Sequence, residues 1–129
     1  MIPRKTLRTL IAFLVCLVVP NLALALQPSL SASLLDRDAK AKKGWATVEV
    51  RVYGLDLVDS PTGQPQEGEG HLHYRVDDGF VVATTATKLG FHGLAPGKHH
   101  IEIRLVGNDH LPLGPVSTLE VTVTGSSPH

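Results

Sequence analysis

From Thr47 to Tyr53 the side chains alternate without a break. Val48, Val50 and Val52 fall on one parity, and Thr47, Glu49 and Arg51 on the other. A period of two is the signature of a strand with one face buried and the other wet. It recurs in His71–Val76, where Leu72, Tyr74 and Val76 share a face, and again at Ile101, Ile103 and Leu105 and at Leu119, Val121 and Val123. Turn signals separate these runs: Gly54, the proline- and glycine-rich stretch from Asp59 to Gly70, Asp77-Asp78-Gly79, Pro96-Gly97 and Gly107–His110. Asp-Gly tolerates positive φ, so 77–79 is expected to be a hairpin turn, with Phe80–Thr85 returning as the partner strand. Further short strands are expected at Leu55–Val58 and Lys88–His92. No helical periodicity competes with this pattern. It predicts an all-β domain, a single small β-sandwich of six or seven strands with immunoglobulin or fibronectin type III character. A small open barrel is the structural alternative.

The two ends read differently. Arg4, Lys5 and Arg8 precede an uncharged apolar run from Leu10 to Val19, and Ala23-Leu24-Ala25 offers small residues for a signal peptidase. Residues 1–25 are therefore expected to be a cleaved signal peptide. The rival is a retained anchor, but the apolar run is broken by Pro20-Asn21, whereas a membrane-spanning helix needs ~20 apolar residues. Residues 26–45 are expected to be a flexible tether, 46–124 the sandwich and 125–129 a disordered tail. The expected location is periplasmic or secreted.

Cleavage would leave no cysteine, because Cys16 is the only one. It would also remove three cations, leaving nine basic against twelve acidic residues and a formal charge of −3. That balance argues against nucleic acid, and against an anionic membrane surface once the signal is gone.

The chain has seven histidines, and they carry the chemistry. On one strand His71 and His73 are two residues apart, so their rings share a face ~7 Å apart along the chain and can converge on one ion. The competing reading has His71, His73 and Arg75 merely covering a solvated sheet face. His99 shares the parity of Ile101 and should point inward just after the Pro-Gly turn, as a ligand or as a side chain bonded back to the turn. His100 points the opposite way, toward solvent. His92 ends a strand, and His110 follows Asp109 in a loop, where a carboxylate could orient the ring. His71, His73, His92, His99 and His110 are the candidate metal ligands, with Asp109 behind them. Neutral imidazoles without a thiolate point to copper or zinc.

No Gly-x-Ser-x-Gly elbow, phosphate loop or His-Glu-x-x-His occurs. The expectation is a non-enzymatic binding domain that takes a divalent transition-metal ion. The competing class is a structural module in which the histidines satisfy turns and the edge strands recruit a protein partner.

The strings Gly-Glu-Gly-His-Leu-His (68–73), Leu-Ala-Pro-Gly-Lys-His (94–99) and Asn-Asp-His (108–110) resemble those of the exported bacterial domains grouped as domain of unknown function family 4399. The resemblance covers roughly residues 46 to 124 and departs from the pattern at Tyr74 and around His92. It implies an exported β-sandwich and marks His71, His73, His92, His99, Asp109 and His110, with no activity assigned.

Overall fold

The computed structural model describes residues 27–125; the expected signal peptide and all but the first residue of the expected tail lie outside the described residues. Eight strands and one short helix follow in the order β1 (Ser29–Leu35), α1 (Arg37–Ala41), β2 (Ala46–Tyr53), β3 (Asp56–Leu57), β4 (Glu69–Val76), β5 (Val81–Thr84), β6 (Lys88–Phe91), β7 (Gly97–Gly107) and β8 (Pro112–Val123). They form two sheets, as an all-β sandwich requires. One has the order β1-β2-β6; the other runs β3-β4-β7-β8, with β5 also paired to β4.

The parities anticipated from the sequence decide what lies between the sheets. Val48 and Val50 from β2 meet Leu72 and Tyr74 from β4, Ile101, Ile103 and Leu105 from β7, and Val121 from β8. Each fully buried aliphatic side chain contributes ~1.5–3 kcal/mol. Aromatic bulk is scarce in this core, and Tyr74 is its largest side chain. Its hydroxyl donates to the Ala86 carbonyl at 2.7 Å, which satisfies the one polar atom it carries inward. Burial pushes the Tyr74 hydroxyl up to about 12.

The segment expected to be a flexible tether is ordered structure instead. β1 pairs antiparallel with β2, placing Leu30, Ala32 and Leu34 opposite Val52, Val50 and Val48. These three side chains alternate with Ser29, Ser31 and Ser33 and pack on the core. Serine at every second position made the stretch look like a linker, but the same spacing is that of an edge strand with one wet face. Helix α1 follows and buries Ala41.

Two local features set the stage for the site. The hairpin turn between β4 and β5 forms as expected, although its positive φ (55°) falls on Asp77 rather than on Gly79. Gly70 lies against β7 so closely that a Cβ there would run into the Val106 carbonyl oxygen. Glycine at this position lets the two strands stay paired just before His71.

Candidate metal centre

With Leu72 and Tyr74 in the core, His71, His73 and Arg75 must stand on the outer face of the five-stranded sheet. Cross-strand pairing puts Val106, Arg104 and Glu102 of β7 directly opposite them. On the other side Ala83 of β5 lies opposite His73. β4 is thus an interior strand: His73 is held by ladders on both edges, and His71 pairs with Val106 on one edge and falls between the β3 and β5 pairings on the other.

The third histidine arrives from the β7–β8 turn. The Gly107 amide donates to the Leu111 carbonyl at 2.9 Å, and the His110 amide donates to the Gly107 carbonyl at 2.9 Å. This closes a tight loop in which His110 adopts φ 67°, a left-handed conformation uncommon outside glycine. The loop folds the His110 ring back over β4.

The resulting geometry is compact. His71 Nε2 lies 3.2 Å from His73 Nε2, and His73 Nε2 lies 3.0 Å from His110 Nδ1. One nitrogen from each ring falls within 4.8 Å of both others. Two nitrogens ~2.0–2.1 Å from one tetrahedral zinc ion would stand ~3.3 Å apart, close to both short separations. Hydrogen bonding alone serves this arrangement poorly. A ring nitrogen carries either one proton or one lone pair, so His73 Nε2 cannot donate to one neighbour while accepting from the other.

Electrostatics favour the neutral, ligating form. His71 is buried and His110 is exposed, with His73 between them. Burial lowers the pKa of His71 first; the adjacent His110 lowers it further, and Asp59 pulls partly the other way. His73 is lowered by burial, then by His71, His110 and Arg104. Both rings therefore offer lone pairs at neutral pH, as metal binding requires.

A polar cavity of about 210 Å³ opens beside the cluster, lined by His71 and His110 together with Asp59, Thr84 and Asn108. Asp59 and Asn108 were not anticipated as neighbours of the site. Asp59 sits in a stretch that composition marks as loop. It is brought to β4 by the short parallel pairing of β3, which ends with the Val58 amide donating to the Gly70 carbonyl at 2.8 Å.

Three expectations are corrected. His92 stands at the end of β6 in the other sheet, with its ring 4.7 Å from that of Trp45, and does not join the cluster. His99 points inward as its parity requires, but both of its nitrogens are already committed. Nδ1 lies 2.8 Å from Asp77 Oδ2 and Nε2 lies 2.6 Å from the Ala95 carbonyl oxygen, so it clasps two turns instead of a metal. Asp109 does not orient His110; its Oδ1 accepts from the Leu111 amide at 3.1 Å and shapes the loop. His100 is exposed as expected, and its Nε2 lies 3.2 Å from Glu120 Oε2.

No family model, curated protein or solved structure matches the chain, so the role of the three histidines has to be argued from their own geometry.

Proposed function

We propose that the protein is an exported, non-enzymatic domain that captures a divalent transition metal, copper(II) or zinc, through His71, His73 and His110. One observation carries this reading: three imidazole nitrogens from two separate elements face one another within 4.8 Å. Imidazole is a borderline ligand suited to both ions, and three such ligands leave at least one coordination position for water or another donor. The basic residues Arg4, Lys5 and Arg8 followed by the apolar run from Leu10 to Val19 support export, with the sandwich as a carrier in the periplasm or outside the cell.

Titration of the purified protein with copper(II) and zinc tests the reading. Micromolar binding to the native state should raise stability by ~2.7 kcal/mol at a hundredfold excess of metal over Kd. His71→Ala with His73→Ala should abolish both the heat and the shift in melting temperature. A flat wild-type response to both ions would refute metal capture.

A second reading, a protein-interaction module, is favoured by β5. Among the described residues this strand pairs only with β4, and it begins beside Phe80, which is 97% exposed. An unpaired strand edge with an apolar side chain at its end is a template for strand addition by a partner. Under that reading, metal would be irrelevant to partner capture and Phe80→Ser would weaken it.

A further inference from the structure

We propose that Asp59 closes the three-histidine centre, its carboxylate taking the remaining position on the captured ion either directly or through one bound water. This inference rests on the metal-binding reading and adds a fourth participant to it.

The Val58 amide is held to the Gly70 carbonyl, so the backbone of Asp59 is pinned one residue past a fixed contact and beside the start of the His71-x-His73 pair. Asp59 also shares the lining of the 210 Å³ cavity with His71 and His110. That space exceeds the room one water requires, so a bridging water fits between carboxylate and ion. Asp59 lies outside the group of nitrogens that are already within 4.8 Å, and its side chain has to turn into the cavity to engage.

Charge supplies the second line. A divalent ion on three neutral imidazoles leaves a +2 charge beside Arg104, which stands directly opposite His73 on the neighbouring strand. An anion on the cavity side would offset that charge, and the other nearby carboxylates are occupied. Glu102 accepts from Arg104 at 2.8 and 3.1 Å. Glu69 accepts from the Asn108 amide at 3.2 Å, and Asp109 accepts from the Leu111 amide. Among the described residues Asp59 has no hydrogen bond or ion pair, and it is the one acidic residue that lines the cavity.

The test compares wild type, Asp59→Asn, Asp59→Glu and Asp56→Asn, the last removing an equal charge from the neighbouring strand. Each purified protein is titrated with zinc by calorimetry and with cobalt(II) by its visible absorption, after the metal-free melting temperatures are matched. Loss of a group that supports a metal ligand weakens binding roughly 10–100-fold. A loss in that range is expected for Asp59→Asn, together with a changed cobalt spectrum. Asp59→Glu should recover part of the affinity, and Asp56→Asn should stay within twofold of wild type. If Asp59→Asn matches wild type in affinity and spectrum while His71→Ala abolishes binding, the role of Asp59 is overturned and the three-histidine site stands. Equal weakening by Asp56→Asn would reduce the effect to general charge and also overturn it. A wild-type protein that takes up neither zinc nor cobalt would remove the site and its closer together.

Discussion

The imidazole of His99 lies with Nδ1 2.8 Å from Asp77 Oδ2 while its Nε2 lies 2.6 Å from the Ala95 carbonyl oxygen. Both partners are acceptors, and a neutral ring has only one N–H to donate. The contact is satisfied in full only when His99 is an imidazolium donating from both nitrogens. The Ala95 carbonyl and then the Asp77 carboxylate accordingly raise the pKa of His99. Asp77 is lowered, first by the His100 amide that it accepts and then by His99.

This pairing has a definite pH signature. Stability from the raised His99 is complete below its ordinary 6.5 and is lost as pH rises through the raised value. Stability from the lowered Asp77 is present above its ordinary 3.8 and is lost as pH falls through the lowered value. The gap in urea stability between wild type and Asp77→Asn should therefore be widest between those two ordinary values and narrow on either side. Its size should be about 1 kcal/mol, because Asp77 is half exposed and screened by water. A gap that stays constant from pH 4 to pH 9 would refute the ion pair, and nitrogen-15 shifts of the ring would show its two protons directly.

The histidine cluster responds to pH with the opposite sign. His71 and His73 are lowered from 6.5, so the unfolded chain binds more protons in the window below 6.5. Their contribution stands above that pH and is lost as pH falls through the lowered values. Protons also compete with metal for the same lone pairs. Zinc should raise the melting temperature at pH 7.5 and do so far less at pH 5.0. Equal protection at the two values would exclude histidine ligation.

Tyr74 separates the core from the site. Tyr74→Phe removes the donor to Ala86 and should cost ~1–3 kcal/mol by leaving that carbonyl unpaired. Leu72→Ala, at a fully buried position, should cost ~2–5 kcal/mol. Because both side chains lie on the inner face, zinc affinity at a temperature where the variants remain folded should change less than twofold. Denaturation curves and titrations of the same samples check both halves.

Gly70→Ala should damage stability and binding together. The added Cβ meets the Val106 carbonyl oxygen in the paired strand, an overpacking expected to cost ~1–3 kcal/mol. Relief requires β4 to move away from β7 next to His71, so zinc affinity should fall at least tenfold. A variant with wild-type affinity would show that the close approach of the two strands does not position the ring.

The parity of β2, β4 and β7 was legible in the sequence because alternation is local, and it placed His71 and His73 together on one face. The convergence of His110 on them depends on a loop conformation, and among the residues themselves proximity to turns was the hint. The same hint drew in His92 and His99 wrongly: His92 belongs to the other sheet, and His99 serves the turn at the entrance of β7. β1 was missed because Leu30, Ala32 and Leu34 gain meaning only against Val52, Val50 and Val48, about twenty residues away in sequence. Asp59 was hidden for a related reason. A two-residue parallel pairing leaves no periodic trace in a stretch rich in proline and glycine.

The three histidines differ in how firmly they are held, and that difference would govern how a captured ion departs. His71 and His73 ride on β4, which is paired along one edge to β7 and along the other to β3 and β5, whereas His110 rides on a turn of a few residues. Release would then begin with the swing of one hairpin tip and would not require global unfolding. A domain wired this way can hand its cargo on while the sandwich stays intact.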